Sequence, residues 1–390
     1  MTADTLIIDD SPPLPVCRPS STSDLCEMVQ AARGAGQGIY PVGGRTTLDI
    51  GLPPTKPGIA VDMTALNQVI DYPARDMTVT VQAGITIAAL QEELAKEGQW
   101  LPIDVTSPEK ATLGGAIAVN QSGPHRYGYG TLRDYILGMS FVTDEGVEVK
   151  AGGRVVKNVA GYDFMKLQTG ALGTLGVITH VTLKVKPRPE AYALLVFKCS
   201  QDSLSEVLNL LHASRSRPVI VELLNSEACQ AGDLPFPTSE HEWTLAVGFE
   251  EKETTVRWQV MTLLNELRTA PVRDVAELNE ASGYWTRITQ LQTHPASSFI
   301  GKANLLPSQL AQALRNKPPV IIHAHALNGI IWQHGPKPVE ELIIRRCPVE
   351  AKRTVPIWGK PTSAWNLMRH IKKTLDPGDV FNPGRLFNSL

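Results

Sequence analysis

Between Tyr40 and Gly51 the chain reads YPVGGRTTLDIG, an apolar run followed at once by two adjacent glycines, an arginine and two threonines. Glycine lacks a Cβ and tolerates positive φ, so a turn of this kind lets several backbone N–H groups converge on one anion. Gly43, Gly44, Arg45, Thr46 and Thr47 are therefore a candidate diphosphate nest; a plain tight turn is the other reading of the same residues. It is neither a P-loop, since no Gly-Lys-Ser/Thr follows, nor a Rossmann fingerprint, since G-x-G-x-x-G is missing. His323 and His325, two apart on an extended segment, share a face and suit metal binding, proton transfer, or a pair of structural imidazoles. The five cysteines are scattered without any C-x-x-C, so neither an iron–sulfur cluster nor a cysteine zinc site can be built locally, and no metal is expected.

Further bare backbone follows the first glycine pair. Thr112-Leu113-Gly114-Gly115, Asn120 to Gly123, Gly161-Tyr162-Asp163, and the run Gly170, Gly173, Gly176 all fall before residue 180. So many open positions suit an elongated cofactor laid across several elements.

The elements that must carry these residues are marked by periodicity. A helix is expected over the segment SDLCEMVQAARGAG, with Ser23 as N-cap and Gly34 and Gly36 past its end. Strands are expected at 38–42, 59–62, 69–72 and 78–82, a short helix at 86–98, and a hairpin turning at Asp144-Glu145-Gly146. Alternation from Val177 to Val185 gives another strand, ended by Pro187 and Pro189 at a domain boundary. Beyond it two strand–helix–strand–strand units follow, beginning near residues 192 and 298. They suggest one antiparallel sheet with helices on one face.

Composition narrows the class. The 390 residues are 43% hydrophobic and 19% charged with net charge -2, which gives no overall attraction to nucleic acid or anionic lipid. From Leu342 to Lys373, however, Arg345, Arg346, Lys352, Arg353, Lys360, Arg369, Lys372 and Lys373 face one acid, Glu350. That segment is either a solvated face or a docking surface. No signal peptide or membrane-span pattern is legible, so a cytoplasmic protein is expected, seated on a membrane only through partners.

Five motifs taken together carry a resemblance: PVGGRTTLDIG, VTVQAGITIAALQEEL, the segment from TSPEKATLGGAIAVNQSG to VTDEG, the segment from VVKNVAGYDF to VKPRP, and the terminal DPGDVFNPGRL. Their order and spacing resemble the FAD domain of the vanillyl-alcohol-oxidase/p-cresol-methylhydroxylase (PCMH) flavoproteins and, more narrowly, the FAD-binding E subunits of glycolate oxidases. The resemblance implies an α+β, two-subdomain PCMH-type FAD-binding domain over 1–190. It also implies an antiparallel, ferredoxin-like cap over 191–370 and a return to the first domain over 371–390.

It further implies FAD, with Gly43 to Thr47 on the pyrophosphate and Ser107, Thr112, Gly114 and Gly115 lining the second wall. Asn120, Gly123, Gly128, Arg133 and Asp134 would flank the flavin and ribityl chain, Gly176, Val177 and Ile178 would approach the adenine side, and Asn382 would return to the flavin ring. Several relatives link flavin through a histidine directly after the paired glycines; Arg45 stands there, so non-covalent FAD is expected, with His125 the lesser attachment point.

Relatives that oxidise 2-hydroxy acids carry an HxGDGNxH-like cap motif, from which HAHALNGIIWQH departs at Leu327, Asn328 and Ile331-Trp332. Besides His323 and His325, the catalytic candidates are the carboxylate clamps Lys302, Arg287 and Arg385. The implied activity is oxidation of glycolate, or of D-lactate, by a complex with a catalytic flavoprotein and an iron–sulfur subunit. A self-sufficient D-2-hydroxy-acid dehydrogenase and a non-catalytic scaffold are the alternatives.

Overall fold

A computed structural model describes residues 4–153, 162–235, 242–278, 281–338 and 341–387. Contacts divide the chain into two units, the first comprising Met1–Gln121, Thr131–Pro187 and Pro348–Leu390, the second Ser122–Gly130 and Arg188–Cys347. The return to the first unit thus starts at Pro348 rather than 371, and nine residues beginning at Ser122 leave it for the second.

In the first unit, helix Thr22–Gly34 is capped by Ser21, whose hydroxyl accepts from the Asp24 amide at 3.1 Å. The expected cap, Ser23, sits inside the first turn, beside the Asp24 carboxylate that favours a helix N-terminus. Leu25, Val29 and Ala32 pack into a core with Ile39, Val61 and Phe381. Strand Gly38–Val42 lies parallel to Gly58–Asp62 in a four-stranded sheet. An antiparallel five-stranded sheet runs in the order Val69–Asp71, Thr78–Gln82, Val177–Lys184, Ile136–Val142, Glu148–Gly152.

The C-terminal return is locked to the first sheet through Ile39, whose N–H donates to Val380 O at 2.7 Å and whose carbonyl accepts from Asn382 N–H at 2.9 Å. Helix Ala364–Leu375 precedes it. At its end the buried Lys372 ammonium pairs with Asp376, whose carboxylate also accepts from the Val380 and Phe381 amides at 2.8 Å each.

The second unit is built on one eight-stranded antiparallel sheet. Its order is Val272–Leu278, Ala191–Ser200, Glu242–Glu251, Ile220–Leu224, Ile322–His325, Ile330–Gly335, Phe299–Asn304, Ile343–Arg346. The two repeats lie side by side, joined where Glu222 faces His325 and Leu224 faces His323.

Helices cover both faces, not one. Helices Leu204–Ala213 and Glu253–Leu267 pack on Leu195, Phe197, Val221 and Leu245, while helix Ala281–Leu291 packs through Tyr284, Trp285 and Ile288 on Leu194, Val196, Ile220 and Ala246. Neighbouring residues of one strand thereby enter opposite cores.

Candidate functional site

The glycine turn after strand Gly38–Val42 opens onto a cleft of the first unit with two adjoining lobes of about 460 and 640 Å³. The cleft gathers Gly43, Gly44, Arg45, Thr46, Thr47, Thr112, Gly114, Gly115, Gly176, Val177, Ile178 and Asn382. The two glycines are there for closeness rather than for positive φ. A Cβ on Gly43 would run into the Thr112 side chain, and one on Gly44 into the Lys110 carbonyl. The left-handed residue of the turn is Arg45, at φ 59°. Among the described residues, nothing accepts a hydrogen bond from the backbone N–H groups of Gly44, Arg45, Thr46 or Thr47. Four unpaired donors in succession on a concave, glycine-lined wall form a nest that fits a diphosphate.

The apolar lining, Pro41, Val42, Met63, Ala83, Ala118 and Leu172, carries no signal in residue type and was not foreseen. Asn382 Nδ2 donates to the Leu172 carbonyl at 2.7 Å, which leaves Oδ1 as its acceptor in the cleft. Past the lining residues Ala118 and Val119 and outside the lining itself, Asn120 ends its helix at φ 49° with Oδ1 buried and unpartnered among the described residues.

Other expected cofactor residues lie outside this lining. Ser107, at φ 51°, uses its carbonyl to accept from the Lys110 and Ala111 amides and so shapes the turn that packs on Gly44. Arg133 and Asp134 are exposed, and the Asp134 carboxylate is spent on the Thr131 amide at 2.8 Å. Gly123 and Gly128 belong to the segment counted with the second unit, where Gly128 N–H donates to Val219 O at 2.8 Å. Gly161 lies outside the described residues.

Neither position considered for covalent flavin attachment is a free nucleophile. The Arg45 guanidinium approaches Asp62 at 3.5 Å, and His125 Nε2 lies 2.9 Å from Glu250 Oε1, with Tyr129 on the other oxygen of the same carboxylate.

In the second unit, strand pairing brings His323 and His325 opposite Trp332 and Ile330, and Lys302 opposite Trp332. His325 Nδ1 lies 2.7 Å from Glu222 Oε1 and donates to it, while Nε2 has no hydrogen-bond partner among the described residues. His323 stacks on Trp332 with ring centroids 6.0 Å apart and lies 5.9 Å from His334. Burial, then His334 and His325, hold His323 well below the usual histidine range, and burial pushes His334 down to about 4. His323 and His334 are held neutral, and all three imidazoles are sealed, with exposures of 0, 1 and 2% for His323, His325 and His334.

Lys302 differs. Its ammonium lies 5.5 Å from the Trp332 ring centre and has no ion-pair partner among the described residues. Desolvation, then Arg345 and Arg126, lower its pKa to about 7. Below pH 7 the folded protein carries the full burden of a desolvated charge. Between 7 and the ordinary 10.5 the unfolded chain holds a proton that the folded one has lost, so stability rises with pH across that window. Lys302→Met is accordingly expected to raise the melting temperature most below pH 7, with the gain shrinking toward pH 10, as thermal denaturation at several pH values would show.

The other two clamp candidates are held by structural partners, although Arg385 lines the cleft of the first unit. Arg385 is buried, with its guanidinium on Asp9 at 2.8 Å and on the carbonyls of Leu48, Ile50 and Leu52. It braces the loop after the glycine turn, whose carbonyls face inward for want of regular structure. Arg287 holds the Asp233 carbonyl at 2.7 Å in a surface turn.

Residues 13–152 match the FAD binding domain family, and residues 186–304 and 359–386 match the FAD linked oxidases, C-terminal domain family. A mitochondrial D-lactate dehydrogenase [cytochrome] of Arabidopsis thaliana is 33% identical over 94% of this chain and 72% of its own length. The chain belongs to the FAD-linked oxidases, and its cofactor is FAD. The glycolate oxidase subunit GlcE of Escherichia coli (strain K12) is 34% identical over 47% of this chain and 52% of its own. Over the glycolate oxidase subunits that it matches, the alignment thus spans about half of each relative's length. An alkyldihydroxyacetonephosphate synthase structure superimposes with TM-score 0.71 over 95% of this chain and 76% of its own at 19% identity, a likeness of fold. Among the described residues no helix is long and apolar enough to cross a membrane.

Proposed function

We propose that this chain is the FAD-binding subunit of a complex that oxidises glycolate, or D-lactate, to the 2-oxo acid, alongside a catalytic flavoprotein subunit and an iron–sulfur subunit. The observation that carries the cofactor half of the reading is the run of four acceptor-less amides from Gly44 to Thr47 on a glycine-lined cleft. Those amides take the FAD diphosphate, Thr112 with Gly114 and Gly115 forms the opposite wall, and Asn382 Oδ1 is the free acceptor for the cofactor's polar edge. With Arg45 in an ion pair and His125 on Glu250, the flavin is held without a covalent bond.

FAD, when bound, accepts a hydride from the α-carbon of a 2-hydroxy acid. Within the second unit, Lys302 is the candidate cation for a carboxylate, since Arg126 and Arg345 nearby favour an anion, whose arrival would restore the ammonium's proton. Proton removal from the hydroxyl is less well served. Among the described residues the unpartnered Nε2 of His325 is closed off from solvent, and no cluster of three or more His, Cys, Asp or Glu side chains is placed to hold a metal ion. The names of the relatives, which include glycolate oxidase subunits GlcD and GlcE, support a division of labour in which a partner completes turnover.

Stopped-flow mixing of the isolated holo-chain with glycolate tests this. Flavin absorbance should persist over seconds without partners and bleach when the partner subunits are present. Rapid bleaching of the chain alone would replace this reading with that of a self-sufficient dehydrogenase, the activity that the Arabidopsis relative's name carries.

A further inference from the structure

The basic segment from Arg345 to Lys373 does not survive as one charged surface. Arg346 bonds the carbonyls of Thr293 and His294, Lys372 is buried on Asp376, and Lys352 and Arg353 pair with two consecutive acids, Asp9 and Asp10. The pairing of Lys352 leads to the cleft of the first unit, through a carboxylate that the proposed function does not use.

Asp9 lies in the turn between strands Thr5–Leu6 and Leu14–Cys17, at a left-handed φ of 54° that aspartate tolerates better than most side chains. The turn is closed by Ser11, whose N–H donates to the Ile8 carbonyl at 3.0 Å and whose hydroxyl accepts from the Ile8 N–H at 3.2 Å. Strand pairing on either side is brief, Thr5 with Pro15 and Leu6 with Leu14, so side chains rather than the ladder fix where the turn sits. Asp9 Oδ1 accepts from the Lys352 ammonium at 2.6 Å and Oδ2 from the Arg385 guanidinium at 2.8 Å, with all three side chains buried. The same two cations hold the segment that follows the glycine turn. Arg385 donates to the carbonyls of Leu48, Ile50 and Leu52, and Lys352 to that of Asp49 at 2.7 Å. Leu48 to Leu52 belongs to no helix or strand, so these carbonyls depend on side-chain donors. Ile8, Leu48, Ile50 and Arg385 line the same lobe of the cleft as Gly43 to Thr47.

We propose that Asp9 is a positioning residue for the cofactor. The clasp of Asp9, Lys352 and Arg385 fixes the segment Leu48–Leu52, and with it the Gly44 to Thr47 amides immediately before it, in the shape that retains the FAD diphosphate. Asp9 is not itself among the residues lining the lobe; it acts through Arg385, which is, and through the carbonyls that Arg385 and Lys352 order. Two cations cover its charge, so the carboxylate does not oppose an anion in the lobe. Without that carboxylate both cations would be left buried and short of a partner, and the loop they hold would shift to rehydrate them. The assignment rests on the reading of the glycine turn as the diphosphate site.

The test compares Asp9→Asn, which keeps the shape and removes the charge, with Asp10→Asn, which breaks the neighbouring exposed pair of the same turn. FAD release from the full holo-chain is followed by flavin fluorescence after dilution into an excess of an apo-flavoprotein trap, and hydrogen–deuterium exchange is measured on the FAD-free chains well below their melting temperatures. Release is expected to be about tenfold or more faster in Asp9→Asn and within about twofold of wild type in Asp10→Asn. Exchange in Asp9→Asn should rise over residues 44–52 while the five-stranded sheet keeps wild-type protection. That local pattern separates positioning from a general loss of stability, which would raise exchange throughout the unit. Should Asp9→Asn fail to accumulate as folded protein, Lys352→Met, which leaves Asp9 on Arg385, is read in the same way and should accelerate release in the same direction by a smaller factor. Release at the wild-type rate, or exchange raised throughout the unit, overturns the role given to Asp9 while leaving the diphosphate site intact. Full FAD occupancy in Gly44→Asp would overturn the diphosphate site, and this assignment with it, whatever the Asp9 variants show.

Discussion

Gly44→Asp is expected to yield protein without FAD. A Cβ at this position is directed into the Lys110 carbonyl, and backbone cannot swing aside as a side chain would. Overpacking of this kind costs about 1–3 kcal/mol where relaxation is possible, and here the relaxation moves the turn that presents the Gly44 to Thr47 amides. The carboxylate adds repulsion toward a diphosphate. Gly44→Ala separates the two effects, since it keeps the steric conflict without the charge and should lose only part of the cofactor. Because a ligand present at 100 times its Kd stabilises the native state by about 2.7 kcal/mol, the melting temperature should fall together with occupancy. The 450/280 nm absorbance ratio and thermal denaturation, measured with and without added FAD, check this. Full occupancy in the aspartate variant would locate the diphosphate elsewhere.

Asp376→Ala should be the most destabilising change outside the cleft. Asp376 is fully buried, pairs with the buried Lys372 ammonium and accepts the Val380 and Phe381 amides at 2.8 Å. Its loss leaves Lys372 with only the carbonyls of Thr174 and Phe381, at 3.0 and 2.9 Å, and the outlying Asp379 carboxylate at 3.1 Å. Removing one partner of a buried pair costs about 3–5 kcal/mol, which for a unit of this size lowers the melting temperature by roughly 10 °C. Since Asn382 follows directly and lines the cleft, FAD affinity should drop as well. Lys372→Met combined with Asp376→Ala should recover part of the loss, because no unpaired charge is then buried. A variant melting within 2 °C of wild type would show that this ion pair does not hold the C-terminal segment.

How far the chain could be read depended on the range of the interactions involved. Strands Gly38–Val42 and Thr78–Gln82 emerge where expected because alternation and flanking glycines are local signals. The second unit's sheet was foreseen, but not its helices on both faces. The clue lay in ALLVF, IVELL and TLAVGF, nearly continuous apolar runs broken by Glu222 and opened by Thr244, which mark strands buried on two sides rather than one. Strands Val272–Leu278 and Ile343–Arg346 escaped notice because they are edge strands rich in charge, a composition that protects an edge and resembles a loop.

At the candidate site the glycine turn was legible from type and spacing, yet its physical reason was not. Gly43 and Gly44 answer to Thr112 and Lys110, some 70 residues away in sequence, a close approach no local pattern encodes. The same holds for Arg385 and Lys352, which look like free cations until Asp9 is found beside both. Lys372, counted with the basic segment, carried a local clue that went unused, since Asp376 lies four residues on.

Central to the account is a cleft in the first unit that holds FAD by main-chain donors and without a covalent link. The most direct measurement is the absorbance spectrum of the purified full-length chain, followed by acid precipitation and chromatography of the supernatant. The account predicts a yellow protein with a flavin band near 450 nm, and about one equivalent of intact FAD in the supernatant. Flavin fluorescence remaining with the precipitated polypeptide, or a colourless chain that takes up no added FAD, would contradict it.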